Sequence, residues 1–168
     1  MLIIERKWAM PSRWTFSIKS IKELLARELT DGCWIDPFAG LLSPATVKND
    51  LNPDTPADFH MDGLAFLRQF KDESVDGVLC DPPYSPRQVR ECYDGIAGGL
   101  KWDGRCTFWS QMKNECARVI RPGGKAICFG WNSMGLGLKR GFEMQRILLV
   151  PHGGSKNDTI CTVETKKQ

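Results

Sequence analysis

"VDGVLCDPPYSP", residues 75–86, decides how the rest of the chain is read. A short apolar run stops on an acid, two prolines and a tyrosine. Proline lacks a backbone donor and has a fixed φ, so Pro82 and Pro83 end ladder pairing and stiffen the chain. Asp81 and Tyr84 are thereby held at the carboxyl end of a buried strand. In open α/β sheets that is the end at which ligands bind.

Outward from this corner, strand and helix patterns alternate. Residues 17–30, "SIKSIKELLARELT", put Ile18, Ile21, Leu24, Leu25 and Leu29 on one helical face, with Ser17 or Ser20 as cap and Asp31-Gly32 as stop. "CWIDPFAG", residues 33–40, is a buried strand that also ends on an acid and a proline. "TVKNDL", residues 46–51, reads as a second short strand. Residues 62–70 read as a helix capped by Asp62, residues 107–120 as a helix closed by "RPGG", and "KAICFGW", residues 125–131, as a buried strand. Residues 133–141 form a Gly-rich helix or loop. "EMQRILLVPHG" and "DTICTVETK" flank the turn-rich "GGSKN" and predict a terminal antiparallel hairpin at one edge of the sheet. The alternation implies an α/β fold, a mostly parallel sheet with helices on its faces. One link is short for that plan: few residues separate "WIDPF" from "TVKND", whereas a parallel crossover usually takes a dozen or more. Either its helix is vestigial or the second strand lies elsewhere.

The totals bound the class. The chain has 168 residues, 42% hydrophobic and 26% charged, which suits one folded domain, 1–168, and not a disordered chain. No apolar stretch is long enough to span a bilayer, and "MLIIERKWAMPSR" has no apolar core of a secretory signal, so a cytoplasmic protein without a membrane partner is expected. The cysteines number seven and form no CxxC pair; they read as small buried hydrophobes, and no metal site is expected. The net charge of +3 hints at an anionic partner. Arg87, Arg90, Lys101, Arg105 and Lys113 cluster after the DPPY corner and form a candidate basic rim.

Acids end three candidate strands, Asp36, Asp50 and Asp81, and Asp62 opens a helix. In a doubly wound sheet such ends converge on one cleft, where acids suit a ligand bearing hydroxyls and amino or cationic groups. Ala39 and Gly40 allow close approach to the backbone. There is no GxGxxG fingerprint and no GxxxxGK[ST] loop, which argues against a dinucleotide enzyme and a nucleoside triphosphatase.

With those residues in view, the chain resembles the S-adenosylmethionine-dependent DNA N6-adenine methyltransferases, in particular small phage and prophage members. "DPPY" at 81–84 is similar to their catalytic motif and "DPFAG" at 36–40 to their cofactor motif. "WTFSIKSIKELL" at 14–25 resembles their methionine-pocket segment, "NDLNP" at 49–53 the acidic strand end at the ribose, and "VIRPGGKAICFGW" the helix–turn–strand that follows catalysis. The resemblance implies a Rossmann-like methyltransferase fold with S-adenosylmethionine as cofactor. It implies a cofactor site of Trp14, Thr15, Phe16, Lys19, Asp36, Pro37, Phe38, Ala39, Gly40, Asp50 and Asp62, and a catalytic corner of Asp81, Pro82, Pro83 and Tyr84. The partner it implies is DNA with an adenine flipped out of the helix, held at its phosphates by Arg87, Arg90, Lys101 and Arg105. Core packing competes with binding for Trp14 and Phe16, a solvated helix position for Lys19, and helix capping for Asp62.

The corner chemistry is shared with N4-cytosine, RNA and protein-amide methyltransferases, and a non-catalytic cofactor- or nucleic-acid-binding module is the alternative outside catalysis. A C5-cytosine enzyme is disfavoured, because its nucleophilic cysteine generally follows proline and no Pro-Cys occurs. A separate target-recognition domain has no room. The segment from Ser85 to Thr107 reads as an irregular loop near the corner, which implies relaxed or short sequence specificity. A homodimer would widen the DNA surface.

Overall fold

The computed structural model describes residues 1–83, 85–93, 96, 106–154 and 156–168, with the backbone alone for Pro86, Arg90 and Cys106. Its strands are β1 (Ile3–Arg6), β2 (Trp34–Asp36), β3 (Val47–Lys48), β4 (Val75–Cys80), β5 (Ile120–Gly130), β6 (Phe142–Val150) and β7 (Thr159–Lys166). Its helices are α1 (Lys19–Glu28), α2 (Gly63–Leu67), α3 (Pro86–Tyr93) and α4 (Cys106–Val119). One sheet runs in the order β1-β6-β7-β5-β4-β2-β3. Every pairing is parallel except those of β7, which is antiparallel to both β5 and β6.

Apolar positions cover both faces. α1 lays Ile21, Leu24 and Leu25 on one face, against Ile127, Phe129, Leu148 and Val163. The other face carries Phe66 and Leu67 of α2 and Met112 and Cys116 of α4, against Ile35, Val78 and Ala126. Gly77 lets the Trp34 ring cross β4, since a Cβ there would run into that ring.

The terminal hairpin is present but does not form the edge. β7 is inserted between β5 and β6, and β1 closes the sheet beyond β6 as a strand the sequence reading did not anticipate. The short link is settled too: residues 37–46 carry no helix, and the second strand shrinks to Val47–Lys48. Neither Ser17 nor Ser20 caps α1; Ile18 occupies that place, and the Ser17 hydroxyl donates to the Trp14 carbonyl at 2.7 Å. "RPGG" is not a turn outside the sheet. It lies within β5, where the register with β4 shifts between Val75 and Gly77. The segment from Ser85 to Thr107 is not uniformly irregular either, since it contains α3 and the start of α4. Among the described residues no helix is long and apolar enough to cross a membrane.

Candidate active site

The chain leaves β2 toward β3 on one side and returns as β4 on the other side of β2. That reversal opens a crevice at the carboxyl ends of β2 and β4. Register fixes its geometry. Trp34 faces Gly77 and Ile35 faces Val78 on parallel neighbours, so Asp36 and Asp81 emerge from the same edge of the sheet.

Asp36 is fully buried at the end of β2. One carboxylate oxygen accepts the Phe38 N–H at 2.9 Å and the other the Ser43 hydroxyl at 2.6 Å. Burial pushes its pKa up to about 7; the two hydrogen bonds oppose the rise, and Asp81 and Asp50 add to it. The acids read from the sequence as separate strand ends thus share one site.

The first corner is clamped to β3 by backbone. The Asn49 N–H donates to Asp36 and the Ala39 N–H to Asn49, both at 2.9 Å. Asp50, read from the sequence as an acidic strand end, accepts the Gly40 N–H and the Asn52 N–H, each at 2.9 Å, and so shapes the first corner's turn. Gly40 has φ +55, a conformation that favours glycine, and Trp14 lies beside it. Phe38 and Ala39 are buried, and the Pro37 carbonyl accepts from the Asn49 amide at 3.0 Å. Asn49 is a residue the sequence reading passed over. Fully buried, it also donates to the Met61 carbonyl at 2.9 Å and accepts the Met61 N–H at 3.1 Å, joining the first corner to the segment that leads into α2. A single polar residue after a strand carries no such signal by itself.

Asp62 serves α2 with one oxygen only. Its Oδ1 accepts the N–H groups of Leu64 and Ala65 at 3.0 and 3.1 Å. Its Oδ2 is buried with no partner among the described residues. An unmatched buried carboxylate oxygen costs free energy unless a donor arrives.

The N-terminal segment reaches the crevice through Trp14, which is half-buried with the Arg13 guanidinium 4.6 Å from its ring centre. Thr15 is half-buried in the 3-10 turn that follows. Phe16 points into the core, edge-on to Phe129 at 5.3 Å, and Lys19 is exposed.

At the second corner Asp81 and Pro82 are half-buried and Pro83 is buried. Tyr84, Lys101 and Arg105 lie outside the described residues. Arg87 is exposed and ion-paired to Glu91 at 2.6 Å, and the Arg90 backbone lies in α3. Behind the corner, Cys80 and Cys128 are register partners, and contact among the thiols of Cys80, Cys116 and Cys128, together with burial, keeps Cys80 and Cys128 protonated. No described group of side chains has the makeup of a metal site.

This is the Rossmann-like fold of S-adenosylmethionine-dependent methyltransferases. Solved structures of similar fold include the Burkholderia thailandensis 1,6-didemethyltoxoflavin-N1-methyltransferase, determined with S-adenosylhomocysteine bound: 12% identity, 88% of this chain and 76% of that one, TM-score 0.58. The N-methyltransferase NodS from Bradyrhizobium japonicum matches at 10% identity over 88% of this chain and 94% of its own, TM-score 0.57. TrmN from Thermus thermophilus matches at 16% identity over 89% of this chain and 49% of its own, TM-score 0.55. In sequence, 78 residues are 28% identical to the type II methyltransferase M.BamHI of Bacillus amyloliquefaciens. That match takes in 45% of this chain and spans 18% of the length of that protein. No family model matches the chain.

Proposed function

We propose that this protein transfers a methyl group from S-adenosylmethionine to the exocyclic N6 amine of adenine in DNA. The observation that carries the proposal is the meeting of two corners in one crevice: the corners at Asp36 and Asp81 end adjacent parallel strands and open on the same edge. The likeness to a type II methyltransferase and to cofactor-bound methyltransferase folds supports it.

The residues present fit the cofactor. The unpartnered Oδ2 of Asp62 is an acceptor for an amino group, the purine N6 amine by resemblance. Ala39 and Gly40 leave the backbone open to close approach, and three carboxylates in one site favour a cationic ligand. When bound, S-adenosylmethionine supplies an activated sulfonium methyl, so no metal is needed to activate the donor.

The chain's own task is to aim and activate the amine. The Asp81 carboxylate and the Pro82 carbonyl accept its two N–H groups, drawing the nitrogen lone pair out of conjugation with the ring. Pro82 and Pro83 hold both acceptors still, which is catalysis by preorganisation. Tyr84 provides a stacking face for a base that has left its helix. Asp81 need not be a strong base, because the nitrogen becomes acidic once alkylated.

The test is transfer from methyl-labelled cofactor to DNA, RNA and protein, with Asp81→Ala as control and nucleoside digestion of the labelled product. N6-methyladenine from DNA, lost in the variant, is expected. Label in N4-methylcytosine, in RNA alone or in protein alone would defeat the substrate assignment.

A further inference from the structure

In the sequence the strap from Lys7 to Ser12 shows only the lack of a secretory signal's apolar core, yet it forms one wall of a groove at the carboxyl edge of the sheet. Hydrogen bonds hold its backbone. The Lys7 and Ala9 N–H groups continue the β1–β6 pairing by donating to Leu149 and Pro151 at 2.9 and 3.2 Å. His152, buried behind the strap, bonds the Ala9 carbonyl through Nδ1 at 2.9 Å, and its Nε2 meets the Thr159 hydroxyl at 2.8 Å. A carbonyl only accepts, so Nδ1 carries the proton. Farther along, the Ser12 and Ser17 hydroxyls bond each other at 2.8 Å, and the Trp14 N–H donates to Ser12 at 3.1 Å.

Between strap and helix start lies an open groove of about 400 Å³, lined by Trp8, Met10, Ser12, Ser17, Ile18 and Lys19 among others. Trp8 and Met10, both lining it, are 62% and 69% exposed. Lys19 lines the groove, Arg13 follows Ser12 in the chain, and neither is in an ion pair with a described carboxylate. β1 runs in the same direction as β4, so the strap leaves the sheet at the edge that carries Asp81. Four strand spacings of about 4.8 Å separate the two, on the order of 20 Å.

We infer that this groove is a second nucleic-acid subsite, which takes an unpaired nucleotide several positions from the target base, its ring against Trp8 and Met10 and its phosphate between Lys19 and Arg13. The inference rests on the nucleic-acid reading above and deepens it. An aromatic platform beside cations is complementary to a single strand, because every base has a stacking face and every link a phosphate. Paired bases inside a duplex offer Trp8 no free face, so the occupant is single-stranded.

The experiment measures affinity of the full chain for a fluorescently labelled single-stranded oligonucleotide at fixed salt, by anisotropy, for wild type, Trp8→Ala, Trp8→Phe and Met10→Glu. Thermal melting verifies folding, and calorimetry gives S-adenosylmethionine affinity for each. Expected are roughly tenfold weaker oligonucleotide binding for Trp8→Ala and Met10→Glu, near-wild-type binding for Trp8→Phe, and unchanged cofactor affinity. Wild-type affinity in folded Trp8→Ala and Met10→Glu would overturn the subsite while leaving methylation of DNA untouched. A wild-type dimer, formed without nucleic acid and dissolved by Trp8→Ala, would assign the groove to a second copy and overturn it as well. Wild-type protein that neither binds nor methylates nucleic acid would defeat the reading beneath it.

Discussion

Asp62 combines two roles that separate at the level of its two oxygens. Oδ1 caps α2, and Oδ2 waits for a donor. Asp62→Ser keeps an N-cap acceptor and deletes the second oxygen. Melting should therefore change little, while S-adenosylmethionine binds about tenfold more weakly by calorimetry, the loss of one charge-assisted hydrogen bond. Equal losses in stability and affinity would show that capping is its whole role. Asp36 makes a different prediction. Its carboxyl is raised to about 7 by burial first, so the folded state holds a proton that the unfolded chain releases near the ordinary carboxylate value. A raised acid disfavours folding once it ionises. Its contribution to stability without cofactor should thus fall as pH rises from about 4 to 7, with a slope of at most about 1.4 kcal/mol per unit. Asp36→Asn, followed by urea titration across that range, should lose the slope. At this scale the sequence was informative about residue type and place. Asp36, Asp50, Asp62 and Asp81 all stand where strand ends and caps were read. What it could not convey was partnership: that Asp50 holds the Gly40 N–H, or that Asn49 ties Pro37 to Met61, depends on which turns meet in space.

Among the elements, α3 was legible and missed. Ser85 followed by Pro86 is a helix start: the Ser85 hydroxyl accepts the Gln88 N–H at 3.2 Å, and proline fits the first helical position because its absent donor is not needed there. The Gly-rich residues further along the segment drew the whole stretch toward a loop reading. β1 was harder. Four residues with two charges have no strand signature of their own, and their pairing with β6 lies far along the chain. Residues 37–46 show the reverse case, in which the expected crossover helix gives way to a loop held by Ser43 and Asn49. α2 and α4 share the apolar core, and one side chain adds a polar joint between them. Arg118 donates to the Leu67 and Phe70 carbonyls at 3.1 and 2.9 Å while pairing with Asp72 and Glu115. Arg118→Ala takes this donor from the Phe70 carbonyl, while the Leu67 carbonyl keeps the Phe70 N–H at 3.2 Å, and should cost about 1–3 kcal/mol in denaturant titration. Hydrogen exchange should quicken first at residues 67–73. Uniform quickening across the sheet would mean that the arginine supports more than this joint.

Across the whole molecule, two sets of carboxyls act on stability in opposite directions. At the edge far from the crevice, Glu28 of α1 pairs with Lys125 of β5 and Arg146 of β6 at 3.0 Å, and Arg146 also pairs with Glu5 of β1. This network ties the N-terminal strand and the first helix to the C-terminal half. Burial raises the Glu28 pKa, but the bonds from Lys125 and Arg146 outweigh it, so the value lies below its ordinary one; the Arg27 hydrogen bond does the same for Glu5. Lowered acids stabilise the fold above their unfolded values, and that contribution disappears as pH falls through the folded ones. Asp36, raised rather than lowered, works the other way as pH climbs toward 7. The unliganded protein should therefore be most stable near pH 5, where ordinary carboxyls have ionised and Asp36 has not. Glu28→Gln should lose about 2 kcal/mol at pH 6, and its deficit should narrow as pH falls below the ordinary carboxylate range, flattening only the acid limb. Saturating S-adenosylmethionine should lift the alkaline limb, because a cationic ligand favours ionised Asp36. Chemical denaturation of wild type and Glu28→Gln from pH 3 to 8, with and without cofactor, separates the limbs. If cofactor raises stability equally at every pH, Asp36 does not feel the bound cation, and the crevice between β2 and β4 is not where that ligand sits.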